Sequence, residues 1–142
     1  MKLLFTFLLF SSIVFAQEKG KAVMLIYPGC EKYISKGNNE LKTCFGKNVN
    51  EGLLAEVENV LNENNLTIRQ VRIDAKIKFQ ISANGEFVNL EITGTDSEKS
   101  LLTQAFVNYA RKLIAENKKI TPAVKDGENV KLTFNIPFKV NN

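Results

Sequence analysis

The stretch "VRIDAKIKFQISANGEFVNLEIT", residues 71–93, decides the fold. Apolar and polar side chains alternate along residues 71–81, which is typical of a β-strand with one buried and one solvent-facing side. Asn84-Gly85 follows, a dipeptide that tolerates the positive φ of a tight turn. The alternation resumes over residues 88–92, so the stretch predicts a β-hairpin with one apolar face.

A long helix is predicted before the hairpin. Apolar residues recur at helical spacing from Leu41 to Leu61. Gly46 and Gly52 lie inside this stripe and weaken the helix, and a break near Gly46 is one interpretation. The polar run "NENN", residues 62–65, then ends the helix.

A second helix and a third strand are predicted after the hairpin. Thr95 and Glu98 have the spacing of a capping box, and an apolar stripe over residues 101–114 indicates an amphipathic helix that packs on a sheet. The alternation returns over residues 130–140, where Pro137 indicates an edge strand because proline has no N–H to donate. The sequence therefore predicts an α+β fold, a three-stranded antiparallel sheet with two helices packed on one face in the order α-β-β-α-β.

The first residues predict an exported protein. Lys2 supplies a positive charge, the residues at 3–16 are apolar or small, and the sequence favours cleavage between Ala16 and Gln17. We expect the chain in the periplasm, and the alternative is an inner-membrane anchor formed by an uncleaved segment. The predicted division is a signal peptide at 1–16, a short leader at 17–26 and one domain at 27–142.

Composition argues against most catalytic and nucleic-acid functions. The chain has 19 Lys and Arg residues against 15 Asp and Glu residues, and the two signs are interspersed, so its net charge of +4 does not favour nucleic acid. It has no histidine, which is the usual acid–base group near neutral pH and a common zinc ligand. We therefore predict no catalytic residue, no metal site, no cofactor and no small-molecule substrate.

The two cysteines, Cys30 and Cys44, are compatible with two interpretations. An even number of cysteines in an exported chain favours a disulfide, which would close a loop and attach the N-terminal segment to the first helix. The alternative is a thiol redox protein, because Cys44 lies early in the predicted helix and close to Lys42. We expect the disulfide.

Four segments carry a resemblance to a known family. They are "YPGCE" at 27–31, "NELKTCF" at 39–45, "IKFQISANGEFVNLEITG" at 77–94 and "ITPAVKDGENVKLTFNIPF" at 120–138. In this order they resemble the TonB C-terminal domain family of the energy-transducer type. The similarity extends over nearly the whole predicted domain.

The resemblance implies a protein-binding module linked to transmembrane transport. Domains of this family capture N-terminal segments of outer-membrane receptors as an added strand at an exposed sheet edge, where unpaired N–H and C=O groups are available. The alternatives are a plain edge strand and a structural subunit that forms a homodimer through the same edge. Carried over to this chain, the receiving strand consists of Val130, Lys131, Leu132, Thr133, Phe134, Asn135 and Ile136.

Overall fold

A computed structural model describes residues 22–141 of the chain. The predicted signal peptide at 1–16 lies outside the described residues, as do residues 17–21 of the predicted leader. The elements in chain order are β1 (Ala22–Val23), α1 (Asn38–Glu63), β2 (Ile73–Ile81), β3 (Phe87–Thr93), α2 (Asp96–Ala115), β4 (Ala123–Lys125), β5 (Glu128–Val130) and β6 (Leu132–Val140). Short 3-10 helices at Glu31–Lys36 and Ile68–Gln70 precede α1 and β2. The predicted α+β class is confirmed.

The main sheet has the strand order β3-β2-β6, and both strand pairs are antiparallel. The predicted hairpin is confirmed, with Ser82 and Glu86 joined by a backbone hydrogen bond across its turn. Glycine is required at position 85 for two reasons. Its φ is +79°, and a Cβ at Gly85 would overlap the carbonyl oxygen of Ile120. The turn therefore lies directly against the segment that follows α2.

The helix α1 is continuous from Asn38 to Glu63, so the suggested break near Gly46 is wrong. The second glycine of this helix is a packing feature, because a Cβ at Gly52 would overlap the ring of Tyr109 on α2. A residue without a side chain lets the two helices approach closely here. The sequence pattern indicated that both glycines weaken the helix, but it did not indicate this contact between the helices.

The predicted capping box begins α2. The side chain of Thr95 accepts a hydrogen bond from the backbone N–H of Glu98, and Glu98 accepts one from the backbone N–H of Thr95. The other carboxylate oxygen of Glu98 accepts a third bond, from the backbone N–H of Asp74 at 2.7 Å. These two backbone donors, that of Thr95 first, lower the pKa of the Glu98 carboxyl, because they favour its charged form. The cap thus also joins α2 to the start of β2.

The core lies between the two helices and the apolar face of the main sheet. Every second residue of β2 from Ile73 to Ile81 is buried, and the residues between them face solvent. The ring of Phe79 is fully buried at the centre of this face, 5.2 Å from Phe106 on α2 and 6.3 Å from Phe45 on α1, measured between ring centroids. The apolar face of the sheet thus supports both helices, as the alternation predicted.

A second, smaller sheet was not predicted. It has the order β1-β4-β5, and it is continued by paired backbone hydrogen bonds of 2.9 Å between Ile26 and Thr121. The predicted boundary between leader and domain at residue 27 is wrong, because β1 pairs with β4 and Leu25 is fully buried in the core. The folded unit therefore includes residues 22–26.

Candidate functional site

The strand β6 has one unpaired side within the described part of the chain. It pairs with β2 along its full nine residues, from Leu132 opposite Ile81 to Val140 opposite Ile73. No strand of residues 22–141 pairs with its other side, which we call the free edge. A free edge presents N–H and C=O groups that can pair with a further strand.

Pro137 fixes which groups of β6 face the free edge. It lies opposite Lys76 in the register, and proline is accommodated within a sheet where its missing N–H would point away from the neighbouring strand. Alternate residues share this orientation, so the backbone N–H groups of Thr133, Asn135 and Lys139 face the free edge. Pro137 interrupts this row of donors. The longest uninterrupted part of the free edge is therefore residues 132–136.

Apolar side chains beside this part of the edge are incompletely covered. Leu132, Phe134 and Ile136 point to the helix side of the sheet but are only half-buried, whereas Phe138 further along β6 is buried. The ring of Phe134 lies 4.6 Å from that of Phe45 and 5.5 Å from that of Phe79. The core thus contacts the Phe134 ring through Phe45 and Phe79, and the ring is still only half-buried.

The opposite face of the main sheet, which we call the polar face, carries the solvent-exposed side chains of β2 and β6. Gln80 donates a hydrogen bond to Thr133 at 3.1 Å and accepts one from Asn89, so three strands are joined across this face. An exposed ion pair of 3.6 Å joins Lys78 to Glu91. Next to it, an open depression is lined by residues that include Lys76, Lys78, Glu91 and Asn135.

The other edge strand of the main sheet is less suited to pairing. The register between β2 and β3 shifts between Lys78 and Gln80, and Asn89 on β3 has a positive φ of 54°. Such a bulge interrupts the ladder and bends the strand. The two edges of the main sheet therefore differ, and β6 has the regular one.

The predicted site residues divide between two strands. The residues at 132–136 lie in β6, but Val130 ends β5 and pairs with Ala123 in the small sheet, while Lys131 connects the two strands. The prediction that one strand begins at Val130 is wrong, because the chain changes sheets at Lys131. The apolar–polar alternation continues without a break across this change, so the pattern contained no signal for it.

The predicted disulfide joins Cys30 to Cys44, with 6.1 Å between their Cα atoms. Cys30 is fully buried, Cys44 is half-buried, and the side chain of Asn48 donates a hydrogen bond to the carbonyl oxygen of Cys44 at 2.8 Å. The bond attaches the segment before α1 to the first turns of α1. A disulfide fits an oxidising compartment.

The hydroxyls of Tyr27 and Tyr109 form a buried hydrogen bond of 2.6 Å beside the helix crossing. Burial, and then the hydrogen bond to Tyr27, raise the pKa of Tyr109 well above its ordinary value, because both disfavour the phenolate. Tyr27 also packs edge-on against Phe45, with 6.1 Å between ring centroids. Sequence reasoning missed this pair, since neither residue has a partner near it in the chain.

Residues 22–141 contain no group of three or more His, Cys, Asp or Glu side chains placed to hold a metal ion. No helix among these residues is long and apolar enough to cross a membrane.

No protein-family model, no curated protein and no solved structure matches this chain. The resemblance to the TonB C-terminal domain family therefore stays a prediction from the four segments quoted above.

Proposed function

We propose that this chain is an exported, non-catalytic module that binds an extended segment of another protein by strand addition at β6. The observation that carries the proposal is the free edge at residues 132–136, together with the half-buried apolar side chains beside it. Backbone hydrogen bonds supply affinity in this mode of recognition, and side-chain contacts on the two faces of the added strand supply specificity.

An added strand would complete the apolar layer. Its side chains on the helix side would cover Leu132, Phe134 and Ile136, and removal of apolar surface from water contributes about 25 cal/mol per Å². Its backbone would pair with the outward N–H groups of Thr133 and Asn135. Both contributions act at the same five residues.

The resemblance suggests the kind of partner. It implies N-terminal segments of outer-membrane receptors, and hence a role in transmembrane transport within the periplasm. The Cys30–Cys44 disulfide supports the oxidising compartment that this role requires. The thiol redox alternative is less well supported, because attack on the half-buried Cys44 would release the thiolate of the fully buried Cys30.

The test uses a substitution that removes one outward donor and leaves the contact with β2 intact. Asn135→Pro deletes the N–H that faces the free edge, in the same orientation that the sheet already accepts at Pro137. Asn135→Ala is the matched control, since it removes the side chain and keeps the N–H. Synthetic N-terminal segments of outer-membrane receptors are titrated into the purified chain while backbone amide shifts are recorded.

We expect shifts centred on residues 132–136 in the unsubstituted chain and in Asn135→Ala, and their loss in Asn135→Pro. Shifts that map elsewhere, or that persist unchanged in Asn135→Pro, would overturn the proposal. The unbound spectrum of Asn135→Pro shows whether β2 and β6 remain paired.

A further inference from the structure

We infer that the segment captured at β6 alternates apolar residues with acidic ones, with its carboxylates on the polar face of the sheet. This inference rests on the proposed function and goes further by naming the chemistry of the partner. It is carried by the distribution of charge on the two strands nearest the free edge.

The charged side chains along the free edge are lysines. No acidic residue occurs in β6, Lys139 lies near the end of this strand, and Lys131 directly precedes its first residue. Lys139 lies opposite Asp74 on β2, so its charge already has an opposite neighbour. Lys131 lies between β5 and β6 and has no such neighbour within the β2–β6 register.

The neighbouring strand β2 adds two more lysines on the polar face. Lys76 lies between Thr93 and Pro137 in the register, and neither of these neighbours carries a charge. Lys78 lies between Glu91 and Asn135, and its ion pair is with Glu91, on the side away from the free edge. The polar face of β2 and β6 thus has three lysines, Lys76, Lys78 and Lys139, against one aspartate, and of these only Lys76 has no charged neighbour in the register. Lys131 adds a fourth positive charge directly before β6.

An added strand would lie within reach of these lysines. Neighbouring strands are about 4.8 Å apart, so the added strand would lie about 10 Å from β2. Lysine has a long flexible stem that can lean over neighbouring side chains, and Asn135 and Pro137, which lie between, are short and uncharged. The ammonium of Lys76 can therefore approach a carboxylate on the added strand.

The same charges disfavour a second copy of this chain as the occupant. Antiparallel pairing of two β6 strands around Asn135 would place Lys131 of one copy opposite Lys139 of the other, at both ends of the pair. Like charges directly opposite each other destabilise a strand pair. Pro137 would also remove a donor from each copy.

The half-buried apolar side chains of β6 determine which residues of the partner segment are apolar. Side chains that cover Leu132, Phe134 and Ile136 must be apolar, and the residues between them face the lysines. Since Pro137 ends the uninterrupted edge, the recognised stretch is about five residues long. The partner segment therefore has an apolar–acidic–apolar–acidic–apolar pattern.

The probes are three nine-residue peptides in which valine alternates with glutamate, glutamine or lysine. Each is titrated into the purified chain at low and at physiological salt, and the amide shifts at residues 132–136 give its dissociation constant. We expect the glutamate peptide to bind about two- to five-fold more tightly than the glutamine peptide, as exposed ion pairs allow, and the lysine peptide to bind most weakly. The preference should fall as salt is raised.

Two charge-reversal substitutions test which lysines cause the preference for the glutamate peptide. Lys76→Glu and Lys131→Glu are each expected to abolish the advantage of the glutamate peptide over the glutamine peptide. Lys112→Glu changes the net charge equally on the exposed side of α2, and it should keep the advantage. All three positions are exposed, so the substitutions leave the core unchanged.

The outcomes separate this inference from the proposed function. Equal binding of all three peptides at residues 132–136 would overturn the acidic partner and leave strand addition in place. Retention of the glutamate preference in both Lys76→Glu and Lys131→Glu would also overturn it. If no peptide of any charge shifts residues 132–136, the proposed function itself fails.

Discussion

The ring of Phe45 on α1 lies 4.6 Å from the ring of Phe134 on the edge strand β6. Phe45 directly follows Cys44, and Tyr27, three residues before Cys30, packs on its edge. The disulfide therefore holds together the two segments that support the apolar side of the candidate binding strand. The disulfide and the free edge are far apart in the sequence, but both lie next to the contact between Phe45 and Phe134.

Removing the disulfide should lower the free energy of unfolding. The bond spans 14 positions, and closing a loop of this size contributes about 3 kcal/mol in the chain-entropy model. We expect the double substitution Cys30→Ala with Cys44→Ala to show this loss in denaturant unfolding. Adding reductant to the unsubstituted chain should give a similar decrease, and an unchanged midpoint in both experiments would contradict it.

The two glycines of α1 should respond in opposite directions to substitution by alanine. A Cβ at Gly46 meets no atom within 4 Å, so Gly46→Ala should stabilise the chain by up to about 1 kcal/mol through helix propensity. A Cβ at Gly52 would overlap the Tyr109 ring, so Gly52→Ala should destabilise it by about 1–3 kcal/mol. Thermal unfolding of the pair measures the difference, and equal effects would show that the helix crossing tolerates a methyl group.

A second glycine pair isolates the contact of the hairpin turn. Gly85 and Gly127 both have a φ of +79°, but only Gly85 has a backbone atom, the Ile120 oxygen, where a Cβ would lie. Alanine at either site should cost about 1–2 kcal/mol for the left-handed backbone. Gly85→Ala should cost a further 1–3 kcal/mol, roughly, because the main chain must move. Equal losses in denaturant unfolding would contradict the close approach.

The sequence pattern predicts the long elements of this fold but not its short strands or close contacts. Period-two and helical patterns were sufficient for the main sheet and both long helices, because those elements bury one face each. The small sheet left no such signal, since β1, β4 and β5 are only two or three residues long. The start of β6 was also misplaced, because the alternation does not change where the chain moves from one sheet to the other.

For the candidate site, the sequence indicated the edge strand through Pro137. It could not show that Leu132, Phe134 and Ile136 are left half-covered, because that depends on where α1 lies above the sheet. The position of Lys76 between uncharged neighbours depends on the strand register. Such features arise from tertiary packing and leave no local pattern.

Stability should fall at alkaline pH because of Tyr109. Its pKa is raised in the folded chain, so the folded state keeps the proton while the unfolded state loses it above the ordinary pKa of 10.0. The stabilisation is complete below about pH 10 and is lost as the pH rises further. Denaturant midpoints measured between about pH 8 and pH 11 should show this decline.

Tyr109→Phe should reduce the alkaline decline. At neutral pH the substitution should cost about 1–3 kcal/mol, because the buried hydroxyl of Tyr27 loses its partner. Tyr33→Phe, on the 3-10 helix at Glu31–Lys36 and outside the buried pair, is the control for removing a phenol. A decline of equal steepness in Tyr109→Phe and in the unsubstituted chain would argue against this role.

Pro137 should limit pairing at the free edge. Pro137→Val would restore an outward N–H between those of Asn135 and Lys139 and extend the uninterrupted edge to the end of β6. Because unprotected edges pair with one another, we expect stronger self-association of this variant in sedimentation velocity, with little change in unfolding free energy. Thr133→Val adds the same side chain to the same row without adding a donor, and it should sediment like the unsubstituted chain. If both variants sediment alike, the missing N–H is not what protects this edge.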